Sequence, residues 1–404
     1  MSARHPAPSH PTRAHAAFLI RARTGFLARA HPAFLARAHP AFLARANTTL
    51  PTRAHPALPT RALLLLLATV LTAGLATGCT GGSPTSPAAK ATPPAGAAPV
   101  SAATRPAAGA VPAPPPYWVN PDGKAARQLA VHLAAGRTAE AGLLRRIASR
   151  PMAEWIGSDR PEAETRALTR AATRAGREAL LVLYDIPHRD CGQYSAGGAA
   201  DPAAYRAWVD AVARGIGARR ATVVLEPDAV MHVVDGCIEE QHHGERYELL
   251  KAAVLRLKLQ PATTVYLDAG NAGWAGPAQL RGPLQEAGIA EADGFAVNVS
   301  NFQTTAASTA YGRQLSALLG GKPFVVDTSR NGNGPYAGGD PAQNWCNPPG
   351  RALGVPPTRS TGDPLVAAYL WIKRPGESDG ECRGGPRAGE WFDAYALELA
   401  GNAR

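Results

Sequence analysis

In "LLVLYDIPHRDCGQYSAGG", residues 180–198, five apolar or aromatic residues, Leu180 to Tyr184, run straight into Asp185, and Arg189, Asp190 and Cys191 follow closely. An apolar run of this length, bounded by Pro and Gly signals, predicts a strand buried on both faces. Carboxylates add nothing to the packing of such a strand. Their place at its end implies a site there.

The same texture recurs along the chain. "PEAETRALTRAATRAGREA" (161–179) carries Pro161 in its first turn, acidic residues early and basic residues late, which is the polarity of a helix. Asp201 caps a second helix, "PAAYRAWVDAVARGIGA" (202–218), again with Pro in the first turn. Then come a strand "TVVLEPD" (222–228), a helix "GERYELLKAAVLRLKLQ" (244–260), a strand "TTVYLDAG" (263–270) and a short helix "PAQLRGPLQEAG" (277–288). Three more strands follow, "GFAVNVSN" (294–301), "PFVVDTS" (323–329) and "AYLWIKRPGESDG" (368–380), with the helix "YGRQLSALLG" (311–320) between the first two. Strands alternating with helices predict parallel βα units and, at this length, an α/β barrel.

Each strand ends in chemistry. The ends supply Asp185 and Asp190, Glu226 and Asp228, Asp268 and Trp274, Asn298, Ser300 and Asn301, Asp327 and Arg330, and finally Lys373, Glu377 and Asp379. In a barrel of parallel strands all C-terminal ends open on one face, so residues far apart in sequence converge on one mouth. Many carboxylates around one cleft suit two chemistries: a hard cation bound by oxygen ligands, or glycosidic-bond hydrolysis by paired acids. The interleaved aromatics Trp155, Tyr184, Trp274, Trp345 and Trp371 favour sugar, because flat rings stack on the apolar faces of pyranosides. Trp371, inside a strand, is expected in the core; Trp274 and Trp345, in Gly- and Pro-rich loops, are the better subsite candidates.

The formal charge of +11 invites a nucleic-acid or membrane reading, but its location removes it. Of the 42 Lys and Arg, nine Arg lie in residues 1–79, which hold no Asp or Glu, so residues 80–404 carry 33 basic against 31 acidic residues. No nucleic-acid partner is expected. Residues 1–60, with the repeat "FLARAHPA", read as a low-complexity extension. Residues 61–79, "RALLLLLATVLTAGLATGC", have the basic flank, apolar stretch and small residues of an export signal, and the ending at Cys79 is like a bacterial lipobox with Ala76 where Leu is usual. Lipidation of Cys79, with membrane attachment, and simple secretion both remain open. Residues 80–116, rich in Pro, Ala, Gly, Ser and Thr, form a spacer too poor in large apolar residues to fold. Residues 117–404 are then one folded domain, expected to be a monomer. Export makes its four cysteines, Cys191, Cys237, Cys346 and Cys382, candidates for two disulfides in any of three pairings; no two have C-x-x-C metal spacing, and no metal is expected.

"LYDIPHRDCGQYSAGG", "VVLEPDAV", "VYLDAGNAGW", "GFAVNVSNF", "VVDTSRNGNGP", "WCNPPGRALG" and "LWIKRPGESDGEC", in that order, resemble glycoside hydrolase family 6, the cellulase family of secreted endoglucanases and cellobiohydrolases. The resemblance covers residues 117–404. It implies a distorted, TIM-like β/α barrel of about seven parallel strands that hydrolyses β-1,4-glucan with inversion and without a cofactor. By motif it implies that Asp228 is the general acid, that Asp190 helps keep Asp228 protonated, and that Tyr184 lies beside the scissile sugar. Asp379 is the residue usually proposed as base, and Ser195 would help hold the water. Asp268 would tune the charge of the site and is counted with Trp155, Trp274, Asn301, Trp345, Lys373 and Glu377 as a substrate-binding candidate. The disulfides implied are Cys191–Cys237 and Cys346–Cys382. Asp185 and Asp327 are assigned to structural hydrogen bonds at strand ends. One departure stands out: the family's "DAGHAGW" is "DAGNAGW" here, with Asn271 where His is usual. The rivals are a non-catalytic glucan-binding protein and a metal-dependent hydrolase; the short connections between motifs favour an open cleft and internal cutting.

Overall fold

The computed structural model describes residues 116–404. The extension, the export signal with Cys79 and, but for Pro116, the spacer lie outside the described residues. Seven parallel strands form one sheet in sequential order: β1 (Glu154–Trp155), β2 (Ala179–Leu183), β3 (Ala221–Leu225), β4 (Thr263–Asp268), β5 (Gly294–Val297), β6 (Phe324–Asp327) and β7 (Val366–Leu370). The sheet curls until the segment before β1 meets the end of β7, where Ala153 N donates to Trp371 O at 2.9 Å. The result is the distorted α/β barrel expected of the sequence.

Alternation along the strands explains why they are apolar throughout. Leu181, Leu183, Val223, Leu225, Val265 and Leu267 point outward into one core with the surrounding helices. Leu180, Val182, Val224, Tyr266, Ala296 and Leu370 point inward and fill the barrel. Every residue of β2 and β3 is buried, so each Leu or Val contributes about 1.5–3 kcal/mol of burial from one face or the other. The outer layer consists of α3 (Pro161–Arg174), α4 (Pro202–Ile216), α6 (His243–Lys258), α7 (Pro277–Glu286) and α8 (Thr305–Leu318), while the single turn α5 (Met231–Val234) follows β3. Asp201 caps α4 as expected, accepting from Ala204 N at 2.8 Å. Trp371 is buried in a third core, with Leu144, Ile147, Tyr395 and Leu399, built from α1 (Lys124–Ala134), α2 (Thr138–Ala148) and α9 (Asp393–Asn402).

Two boundaries differ most from the sequence reading. α8 begins at Thr305 and not near Tyr311, because Thr304 caps it through Ala307 N at 3.1 Å; the small residues ahead of Tyr311 carry no apolar period. β7 ends at Leu370, well short of Gly380. Asp327 takes the N–H groups of Ile372 and Lys373, at 3.3 and 2.9 Å, and so draws them out of the strand ladder.

Candidate active site

The strand ends hold their side chains under backbone strain. Asp190, Glu226, Asp228, Asn298 and Ser300 all have positive φ, between 47° and 69°, a region that costs a side-chain-bearing residue about 1 kcal/mol or more. Local hydrogen bonds hold these turns in place. Glu226, buried behind β2, accepts from the N–H groups of Asp185 and Ile186 at 3.1 Å, and Asn298 spans to Asp327 O at 2.8 Å. Gly270 closes β4 with φ 67°, where a Cβ would stand 2.5 Å from Met231. Asp185 accepts from Ser158 Oγ at 2.8 Å, and Asp327 accepts from Ser300, Ser329, Ile372 and Lys373, so both make the structural bonds expected of them.

At the end of β3 the side chain of Asp228 sits among other carboxylates. Burial, first, and then Asp268, Asp190 and Asp235 push its pKa well above the carboxylate range, with Lys373 opposing. Asp268 is the neighbour that matters most. It is 1% exposed, it accepts from Asp228 N at 3.0 Å and Gly270 N at 3.1 Å, and burial lifts its own pKa to about 7. Asp190 is raised as well, chiefly by burial, although Ser195 N donates to its Oδ2 at 2.6 Å. Tyr184, beside both, is held as the phenol by burial and these charges.

Beyond β7 a carboxylate meets the opposite surroundings. Asp379 Oδ2 accepts from Arg330 Nη1 at 2.8 Å and from Asn347 N at 3.0 Å, and Asp379 Oδ1 lies 3.2 Å from Lys373 Nζ. Burial alone would raise its pKa, but Arg330 and Lys373 outweigh that and hold it below the ordinary value. Arg330 is wholly buried, braced by Ser300 O at 2.6 Å and lying over the Phe302 ring at 4.4 Å.

Between these two centres runs a cleft of about 1270 Å³. Of the residues singled out in the sequence, Tyr184, Asp190, Ser195, Asp228, Asp379, Trp155, Trp274, Asn301, Trp345, Lys373 and Glu377 line it. Asp268 does not: it is buried behind Asp228 and so is placed to act through that residue and not on a sugar. Glu377 is 3% exposed and ion-paired to Lys124 at 3.1 Å and Arg374 at 3.0 Å, which occupies much of its hydrogen-bonding capacity. Trp155 meets Tyr184 edge-on at 5.5 Å, and Trp345 lies 5.9 Å from Tyr194. Asn271 lines the cleft and turns its own loop, accepting from Gly273 N at 2.9 Å, a bond within reach of a short amide. Two disulfides tie the walls, Cys191–Cys237 beside Asp190 and Cys346–Cys382 beside Asn347. His232 lies near the first pair, within 4.8 Å, but both sulfurs are spent in the disulfide and are not thiolate ligands. Arg330, Asn347, His232 and Asp235 complete the site. Only Arg330 had a signal in the sequence, its place after a strand.

A parallel α/β barrel with a cleft at its C-terminal mouth, one carboxylic acid held neutral and one carboxylate held ionised, is the architecture of a glycosidase. The sequence matches Glycosyl hydrolases family 6 over residues 113–403, and the chain belongs to that family. It is 47% identical over 266 residues to Endoglucanase A of Cellulomonas fimi, 65% of this chain and 56% of that protein. It is 44% identical over 294 residues to Endoglucanase 1 of Streptomyces halstedii, 70% of this chain and 88% of that one. Among solved structures it is similar to the endoglucanase Cel6 from Mycobacterium tuberculosis, in complex with a methyl-cellobiosyl-thio-cellobioside, at a TM-score of 0.66 and 43% identity, covering 72% of this chain and 98% of that one.

Proposed function

We propose that the protein is an exported endo-β-1,4-glucanase that hydrolyses cellulose or a related β-glucan with inversion. The observation that carries this reading is the pairing of a neutral Asp228 with an ionised Asp379 across an aromatic-lined cleft. Asp228 donates its proton to the leaving glycosidic oxygen, since burial and then its carboxylate neighbours keep that proton on it at neutral pH. Asp190 and Tyr184 adjoin it. A water attacks the anomeric carbon from the opposite face, oriented through Ser195 and Asp379. Because Arg330 and Lys373 hold Asp379 as a weak base, its contribution is negative charge and orientation more than direct uptake of a proton. Trp155, Trp274, Trp345, Asn301, Lys373 and Glu377 hold the chain.

The endo mode is supported by the 39–47% identity with curated bacterial proteins named endoglucanases, against 32–33% with those named probable 1,4-β-D-glucan cellobiohydrolase C; Endoglucanase CEL6B from Humicola insolens, at 27%, stands no nearer than the cellobiohydrolase core from Chaetomium thermophilum. Export rests on the signal at residues 61–79. Among the described residues no helix is long and apolar enough to cross a membrane. Membrane attachment through a lipid on Cys79 is the alternative to simple secretion that this signal offers. Palmitate labelling that Cys79→Ser abolishes marks an anchored protein; a soluble wild type beginning within the spacer marks a secreted one. Proton NMR of the first products tests the chemistry: the α-anomer is expected, and a β-anomer appearing first overturns inversion. Viscosity of carboxymethyl cellulose falling faster than reducing ends appear is expected of internal cutting; cellobiose released with viscosity unchanged means a cellobiohydrolase.

A further inference from the structure

The turn that follows Asp228 carries two more polar residues, His232 and Asp235, toward the cleft. His232 N donates to Asp228 O at 2.8 Å and Asp235 N to Met231 O at 2.9 Å, so Asp228, itself at positive φ, is tied to the start of the turn and Asp235 closes it. All three line the cleft. Trp274, arriving from the end of β4, meets this turn twice. Its indole Nε1 donates to Asp235 Oδ2 at 3.0 Å, and its ring meets that of His232 with centroids 5.5 Å apart and an angle of 66° between the planes. The other oxygen of Asp235 accepts from Cys237 N at 2.9 Å, and Cys237 is joined to Cys191, the neighbour of Asp190.

Trp274 lies in "AGNAGWAG" (269–276), a segment whose glycines place little restriction on where the ring points. His232 offers it a packing surface. Asp235 offers direction, because an indole N–H on a fixed carboxylate oxygen selects one rotamer. The geometry points to Asp235 as a positioning residue that locks the Trp274 ring onto the turn bonded to Asp228, so that a sugar stacked on the ring is registered against the proton donor. This rests on the glucan-hydrolysing reading above. Its physical content is that stacking energy, gained away from the reacting atoms, is converted into orientation at them.

A double-mutant cycle on the full chain tests the lock, using Asp235→Ala, Trp274→Phe, which keeps a ring but has no N–H, and the two combined. With cellohexaose as substrate, Asp235→Ala is expected to lower kcat/KM by about fivefold to tenfold, mostly through KM. In the Trp274→Phe background the same change should cost less than about twofold, since the bond it breaks is already gone. Effects that add in full overturn the lock and leave Asp235 acting through the Cys237 turn. A second readout needs no activity: the indole N–H resonance of Trp274, assigned by its loss in Trp274→Phe, should shift and exchange faster with solvent in Asp235→Ala. An unmoved resonance refutes the proposal even if catalysis falls. A wild type that cleaves no β-glucan refutes the functional reading instead, and the resonance still decides whether Asp235 holds the ring.

Discussion

Asp228 and Asp379 are carboxylic acids at the mouth of one barrel, and their surroundings drive them in opposite directions. Burial pushes both toward the neutral form. What differs is the charge of the neighbours: Asp268, Asp190 and Asp235 around the first, Arg330 and Lys373 around the second. Desolvation thus sets how strongly a neighbour is felt, and the sign of that neighbour decides which proton state wins. Lys373 pulls on both, so the two sites are not electrically independent.

Removing the proposed proton donor should have the largest effect. Asp228→Ala is expected to slow hydrolysis of unactivated glucan by about a thousandfold with little loss of binding, since a general acid acts in the transition state. Asp228→Asn sharpens the comparison, because it should be as inactive and yet more stable at pH 8, by about 1 kcal/mol, having lost a carboxyl crowded by others. Asp379→Asn should do the reverse. It leaves Arg330 buried without its partner, and should cost about 3–5 kcal/mol of stability together with activity. Thermal unfolding of the two Asn variants decides the matter; equal destabilisation would break the contrast.

Stability against pH should show both centres at once. Asp268 and Glu226, each lifted to about 7, bind protons in the folded chain that the unfolded chain releases above about pH 4. A raised folded pKa gives stability that is complete below the unfolded value and lost as pH rises through the folded one. Between about pH 4 and 7 stability should therefore fall as pH rises, lowering Tm by about 5 °C. Asp379, with a depressed pKa, contributes stability that stays until pH drops below the ordinary carboxylate range. Calorimetry at pH 5 and pH 8 checks the sign: a higher Tm at pH 8 would show that Asp268 and Glu226 are ionised in the folded protein.

The residues at the strand ends were legible in the sequence because each follows a long apolar run with one polar exit. β1 was not, since Glu154 and Trp155 are two residues with no run around them. Nor were α1, α2 and α9, whose faces are covered by one another and by Trp371 and not by the periodic strands. Within the site, positions were readable and partners were not. Asp228 announces itself in "LEPD", but nothing in its spacing says that Asp268 is the closer influence than Asp190, or that Glu377 is engaged by Lys124 from the start of the domain. Such pairings depend on which strand lies beside which, and that is a property of the closed barrel.

The ranking of Asp268 over Asp190 is the finest claim and carries the smallest effect. In the proposed mechanism Asp228 must be protonated to work, so its pKa sets the alkaline limb of the pH–rate profile. Taking away a negative neighbour makes ionisation of Asp228 easier, which moves that limb to lower pH. Asp190→Asn should do this modestly, its amide oxygen still accepting from Ser195 N. Asp268→Asn should move the limb further, because Asp268 is the larger influence on Asp228 and its oxygen holds the Asp228 backbone directly. An amide oxygen in that place still accepts from Asp228 N and Gly270 N, so the turn keeps its shape while the charge goes. Profiles of kcat/KM for the two variants, recorded on one soluble oligosaccharide, separate the cases. If Asp190→Asn shifts the limb more than Asp268→Asn, the acid is tuned from the loop after β2, and the carboxyl buried behind it is only a brace for the backbone.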